Sequence, residues 1–197
     1  MPTITGLVLA AGAGSRMGKP KALVIGADSR SWISIAAETL YAAGCSRVIV
    51  ILGARADEAV KLLPDGVETV TARDWNEGIS ASIRAGLSAA TGVAVLLTLV
   101  DLPGMPVTVG SRVLDQDVSP TSLRQAVYSG APGHPVLIGR DHWHSLSHSI
   151  FGDHGARTYL KAHGVQKIEC GDLWSGHDND FAREIQRAKD AEDCSPR

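Results

Sequence analysis

Residues 7–23 read LVLAAGAGSRMGKPKAL: an apolar strand, a glycine-rich loop, an arginine, and two lysines around a proline. In open α/β sheets ligands sit beyond the carboxyl ends of the strands, so a loop at this point is well placed to hold one. Gly12 and Gly14 let the backbone come close to an anion and present N–H donors as a nest. Arg16, Lys19 and Lys21 add three cations, enough for a polyphosphate. A glycine-rich surface turn with solvated cations would carry the same residues, so the rest of the chain has to decide between them.

Outward from this loop, strand-like runs alternate with helical patterns. Residues 4–10 form the first strand, and 31–43 an amphipathic helix with Trp32, Ile35, Ala36 and Leu40 on one face and Gly44 as its C-cap. Residues 47–52 (RVIVIL) are a continuous apolar run of the kind buried on both faces of a parallel sheet. A short helix over 57–63 stops at Pro64. A strand over 67–71, a helix over 77–90 and a very apolar strand over 93–100 follow, the last ending at Asp101. This β-α-β-α-β-α-β order predicts a parallel sheet with helices on both faces and right-handed crossovers. Later, strands over 124–128 and 134–138 are joined by the turn SGAPG. A helix near 155–163, a strand over 166–170 and a last helix near 181–189 complete the pattern. One domain over residues 1–189, with a polar, flexible tail over 190–197, is the economical organisation.

Composition excludes several classes. With 197 residues, 44% hydrophobic and 20% charged, the chain suits an ordinary globular domain, and a net charge of −2 lacks the basic excess of nucleic-acid binders. No apolar run is long enough to span a membrane. Cys45, Cys170 and Cys194 are odd in number and far apart, which argues against a disulfide framework or structural zinc and for a reducing cytoplasm. The apolar start lacks the positive n-region of a signal peptide. His144 and His148 are four apart, but no histidine falls into a convincing metal-ligand pattern.

Spacing then discriminates among phosphate loops. A dinucleotide fingerprint needs G-x-G-x-x-G running straight into a helix. Here the glycines are Gly12, Gly14 and Gly18, Pro20 intervenes, and the second strand ends in Gly53 and Ala54 without an acid for a ribose hydroxyl. A Walker A loop needs G-x-x-x-x-G-K-[ST]. Residues 13–20 (AGSRMGKP) have Ala13 for the first glycine and Pro20 for the Mg²⁺-binding hydroxyl. What remains is a loop that wraps the triphosphate of a nucleotide being cleaved. Leu9, Ala10, Ala11, Gly12, Gly14, Arg16, Met17, Gly18, Pro20, Lys21 and Leu23 are similar to the signature of sugar-phosphate and cofactor nucleotidyltransferases.

Further motifs extend the resemblance over almost the whole chain: Asp101-Leu102-Pro103; the segment from Asp74 to Leu87 (DWNEGISASIRAGL); Gly133-His134-Pro135-Val136; and Gly152-Asp153 with Gly155-Ala156-Arg157. Together they resemble the MobA-like nucleotidyltransferases, within them the molybdenum-cofactor cytidylyltransferase branch. The resemblance implies a three-layer α/β/α fold with a mostly parallel mixed sheet and a Rossmann-like nucleotide-binding half. It implies that residues 9–12, Gly14, Lys19, Lys21, Gly78, Ser80 and Ser82 bind the nucleotide, and that Arg16, Lys21 and Asp101 carry the catalysis. It makes His134 an acceptor-side contact and reads Asp153, Gly155, Ala156 and Arg157 as acceptor-side scaffolding.

Mg²⁺ would be held by Asp101 and, by alignment with a late D-x-D, by Asp180 rather than Asp178. The chain departs from the family here, with Phe181-Ala182 replacing Thr-Pro. Bland readings stay open beside these. Asp101, Asp178 and Asp180 can cap helix N-termini, as can Ser80 and Ser82, and a lone histidine is commonly structural.

The implied reaction moves a nucleotide from an NTP to a phosphate-bearing acceptor and releases pyrophosphate. Ala11 points to CTP rather than GTP, and the branch points to a molybdopterin-type acceptor with a molybdoenzyme as recipient of the product. A non-catalytic nucleotide-binding accessory protein and an NAD(P)-dependent oxidoreductase are the alternatives.

Overall fold

The computed structural model describes residues 2–15 and 17–177. Its elements run β1 (Ile4–Leu9), α1 (Trp32–Ala43), β2 (Arg47–Leu52), α2 (Ala56–Ala59), β3 (Glu68–Thr71), α3 (Ile79–Ala89) and β4 (Ala94–Leu99). After these come α4 (Val107–Leu114), β5 (Leu123–Tyr128), β6 (Ala131–Gly139), α5 (Trp143–Ser149), α6 (Arg157–Ala162) and β7 (Gln166–Glu169). The strands form one seven-stranded sheet in the order β3-β2-β1-β4-β6-β5-β7. β3, β2, β1 and β4 are parallel; β6 is antiparallel to both β4 and β5; β7 adds to β5 in parallel. This is the mixed sheet that the motifs imply.

The three layers follow from side-chain alternation along strands buried on both faces. Val8, Val48, Val50, Leu96 and Leu137 point into one core with Trp32, Ile33 and Leu40 of α1 and Val109 and Val113 of α4. Leu7, Leu9, Ile49, Ile51, Val95 and Leu97 point into the other with Ile83 and Leu87 of α3, Leu146 of α5 and Leu160 of α6. Each large aliphatic side chain so buried contributes about 2 kcal/mol.

Helix α1 begins where Ser31 accepts the Ser34 N–H at 3.2 Å, and ends at the Gly44 cap. Arg124 is a charged residue of the sheet that is nearly fully buried. Its guanidinium donates to the carbonyls of Val113 (3.0 Å), Gln116 (3.3 Å) and Asp117 (2.8 Å), capping the end of α4 and the turn after it. Arg124→Leu strips three carbonyls of a charged donor. We expect it to cost about 3 kcal/mol, read as a fall in Tm of about 8 °C in thermal denaturation.

Where structure and sequence reading differ, the causes are local. The helix expected over 77–90 is broken: Trp75–Glu77 form one 3-10 turn, Gly78 takes a positive φ of 116°, and α3 starts at Ile79. The stretch read as a helix over 57–63 divides into α2 and a 3-10 turn at Val60–Leu62. The β5–β6 turn is only Ser129-Gly130, both with positive φ, and β6 starts at Ala131. Pro132 suggested a loop, yet it pairs only with β5, because β6 meets β4 from Val136 onward. Helices α4 and α5 are absent from the sequence reading. The first follows a proline- and glycine-rich stretch, and the second (WHSLSHS) fully buries only Leu146. The helix expected near 181–189 and the tail over 190–197 lie outside the described residues.

Candidate active site

β1 ends at Leu9 between β2 and β4, and the chain then leaves the sheet through the glycine loop. Around that loop opens a cleft of about 560 Å³. Its lining comes from the loop (residues 9–15, Met17 and Lys21), from the start of α3 (Trp75, Asn76, Gly78, Ile79, Ser82), and from the end of β4 (Leu99, Val100, Asp101). Asp153 completes it.

The loop's two central glycines differ in their reasons. Gly14 has φ +64°, and a Cβ there would lie 1.9 Å from the Lys19 carbonyl, so folding alone demands glycine. Gly12 has no positive φ, and a Cβ there would meet no atom within 4 Å. None of the described residues requires Gly12 to lack a side chain. A side chain there would project into the cleft without meeting a described residue.

The strongest polar contact in the cleft joins residues eighty positions apart. Lys21 Nζ lies 2.6 Å from Asp101 Oδ2, with the lysine 21% and the aspartate 13% exposed. Asp101 sits in the turn directly after β4, and Lys21 begins a 3-10 turn that follows Pro20. The pair is charged, reachable and at the carboxyl end of the sheet. A hard carboxylate oxygen of this kind suits Mg²⁺, which takes one or two carboxylates and completes its shell with substrate phosphates and water. Among the described residues no group of three or more His, Cys, Asp or Glu could hold a metal. Among the described residues, Asp101 is the carboxylate that a metal here would use.

The remaining sequence candidates divide by location. Residues 9–12, Gly14, Lys21, Gly78, Ser82 and Asp101 line the cleft together. Lys19 is exposed and is not among the lining residues. Ser80 is fully buried, its hydroxyl has no hydrogen-bond partner, and it also lies off the lining. The reason is helical geometry: the broken start of α3 turns Ser82 toward the cleft and Ser80 inward. Arg16, Asp178 and Asp180 lie outside the described residues.

A second pocket, of about 440 Å³, adjoins the cleft, sharing Leu9 and Ile79 as a common wall. His134 and Gln125 face it from β6 and β5, with Gly155, Ala156 and Arg157 at its far side, and the lining is otherwise largely aliphatic. The buried Nδ1 of His134 has no hydrogen-bond partner. Burial holds this imidazole below its ordinary pKa, against the opposing pull of the Leu97 carbonyl and the Asp101 charge.

Sequence reasoning grouped Asp153 with the acceptor-side residues; the structure separates it from Gly155, Ala156 and Arg157 and puts it in the first cleft. Trp75, Asn76 and Ile79 were quoted within a motif, but their place in the lining required the fold. Gln125 carried no signal of its own.

Comparison with known proteins is consistent with this geometry. A family model described as the MobA-like NTP transferase domain matches residues 6–168. A nicotine blue oxidoreductase from Paenarthrobacter nicotinovorans is 35% identical over 199 residues, covering 95% of this chain and 97% of that protein. The crystal structure of Rv0371c from Mycobacterium tuberculosis H37Rv superposes with a TM-score of 0.77 at 27% identity, over 94% of this chain and 97% of that one. Rv0371c is also known as a manganese complex, with a TM-score of 0.71 at 24% identity, over 94% and 97% of the two chains. A nucleotidyl transferase from Methanothermobacter thermautotroptrophicus shares the fold at 22% identity, with a TM-score of 0.74 over 96% of this chain and 99% of that one.

Proposed function

Because the chain belongs to the MobA-like NTP transferase family and is a nucleotidyltransferase, we propose that it transfers CMP from CTP, with Mg²⁺, to a phosphate-bearing acceptor of the molybdopterin type. The observation that carries this reading is the meeting of Lys21 and Asp101 at 2.6 Å in the glycine-loop cleft. A cation for phosphate and a carboxylate for metal converge where Gly12 leaves room for a ligand.

In the proposed reaction an oxygen of the acceptor phosphate attacks the α-phosphorus in line. The new P–O bond forms as the bond to the β-phosphate bridging oxygen breaks, and pyrophosphate leaves. A phosphate dianion is nucleophilic near neutral pH, so no general base is required. The chain's part is positioning and electrostatics. The N–H groups of the loop and Lys21 stabilise charge on the triphosphate as it moves to the leaving group, and Arg16 would grip the departing phosphates in a forked contact. Asp101, with Asp180 as second ligand, would hold Mg²⁺, which when bound neutralises charge between the reacting phosphates.

The acceptor would occupy the second pocket, where the neutral His134 and Gln125 offer hydrogen bonds to a ring and Arg157 offers charge to its phosphate. A molybdoenzyme would then receive the product. The free, buried thiols of Cys45 and Cys170 fit a reducing cytoplasm. No helix among the described residues is long and apolar enough to cross a membrane.

A second reading has its own observation, the 35% identity to nicotine blue oxidoreductase. It would use NAD(P)H to reduce a flat aromatic acceptor in the second pocket. Thermal-shift titration separates the two. We expect CTP with Mg²⁺ to raise Tm more than GTP, UTP or ATP, and pyrophosphate release to depend on an acceptor phosphate. A clear preference for GTP rejects the cytidine assignment. Stabilisation by NAD(P)H without Mg²⁺, with its oxidation when nicotine blue is added, replaces the transfer reading. Nucleotide binding without pyrophosphate release across candidate acceptors identifies an accessory protein.

A further inference from the structure

The first cleft has two chemically different flanks, and strand order sets them apart. β4 lies on one side of β1 and brings Asp101 and Lys21 to that flank. β2 lies on the other side and is followed by Gly53, where a Cβ would stand 2.7 Å from the Trp75 side chain. Trp75 thus closes the flank away from the charged pair. Three residues on, a Cβ at Gly78 would lie 2.4 Å from the Gly152 carbonyl carbon and 2.6 Å from Asp153 Oδ1. The backbone of the loop before α6 is therefore pressed against the start of α3, and the Ser80 N–H donates to the Gly152 carbonyl at 3.1 Å to hold it there. This contact, possible only with glycine at position 78, carries the Asp153 carboxylate into the cleft on the Trp75 side.

Asp153 makes no hydrogen bond or ion pair with the other described residues, unlike Asp101. An ionised carboxylate accepts hydrogen bonds and cannot donate them. Asp153 is exposed and open to a ligand, and on the flank away from Lys21 and Asp101, where it would repel the triphosphate, a neutral donor group suits it. On a nucleotide whose phosphates lie in the glycine loop, the donors that reach the opposite flank belong to the nucleoside. The 2′- and 3′-hydroxyls of ribose are two adjacent donors that match the two oxygens of one carboxylate.

We propose that Asp153 receives the ribose hydroxyls of the bound nucleotide and makes the site selective for ribonucleotides over 2′-deoxyribonucleotides. This rests on the nucleotidyl-transfer reading and adds a specificity determinant to it.

The test is calorimetric titration of wild-type protein, Asp153→Ala and Asp153→Asn with CTP, 2′-deoxy-CTP, GTP and 2′-deoxy-GTP in Mg²⁺, beside Mn²⁺ binding followed by electron paramagnetic resonance. For whichever base binds, the wild type is expected to prefer the ribonucleotide by roughly 10- to 100-fold, the range for a hydrogen bond to a charged group. Asp153→Ala is expected to bind both sugars alike, more weakly than the wild type binds the deoxynucleotide, which keeps its 3′-hydroxyl bond, with Mn²⁺ binding unchanged. Asp153→Asn, which keeps the shape and one acceptor, is expected to fall between them. Equal wild-type affinity for the two sugars overturns the proposal and leaves the transfer reading standing. So does an alanine variant that still discriminates, or one that loses Mn²⁺ and keeps its sugar preference, which would make Asp153 a metal ligand. Wild-type protein that binds no nucleotide overturns both.

Discussion

Asp101→Ala is expected to abolish metal-dependent pyrophosphate release, a loss of at least about 10³-fold, while the protein stays folded. Asp101 lies in a turn at the cleft and belongs to no strand or helix interior. Its removal deletes one partly exposed ion pair, at a cost of about 1 kcal/mol, and leaves Lys21 able to reach solvent. A fold with the usual margin of about 5–15 kcal/mol tolerates that. Circular dichroism and thermal melting check the fold, and coupled detection of pyrophosphate checks turnover. Wild-type turnover in the alanine variant would remove Asp101 from the metal site.

Lys21→Met has the second-largest expected effect, and its signature is different. Lys21 holds the Asp101 oxygen that the proposed metal would use, so on that reading the nucleotide-free protein closes the metal site with the lysine proposed to meet phosphate. Bringing in a nucleotide gives the lysine a phosphate and frees the carboxylate. Turnover is expected to fall by about 10²- to 10³-fold, because a positioned charge donor is gone. Mn²⁺ affinity of the nucleotide-free variant is expected to rise by about tenfold, the equivalent of one partly exposed ion pair. Asp101→Ala lowers both quantities, whereas Lys21→Met lowers one and raises the other. If Lys21→Met weakened Mn²⁺ binding too, the lysine would not be competing with the metal.

How much of this was legible beforehand depended on the kind of signal. β2 lies on Arg47–Leu52, where the continuous apolar run required burial on both faces. Gly44 caps α1 where the sequence reading put it, while Ser31, read as the first helical residue, is its N-cap. In contrast, α5 carries one buried leucine among serines and histidines, too few apolar positions for a periodic signal. The break at Gly78 is invisible locally, because its cause is the backbone of Gly152, more than seventy residues away. Ser80 and Ser82 look alike in sequence, yet one is sealed in the core and the other lines the cleft.

By itself the sequence determined the layered α/β class and the family, because periodicity and motif spacing are local and survive without coordinates. Only the tertiary structure decided who meets whom. The order β2-β1-β4 brings Asp101 to Lys21 and keeps Trp75 on the opposite flank. The packing of the loop before α6 against Gly78 sets Asp153 in the glycine-loop cleft, apart from Gly155, Ala156 and Arg157. Those juxtapositions join residues about eighty positions apart through strand pairing and close backbone contact, and no short window of sequence contains them.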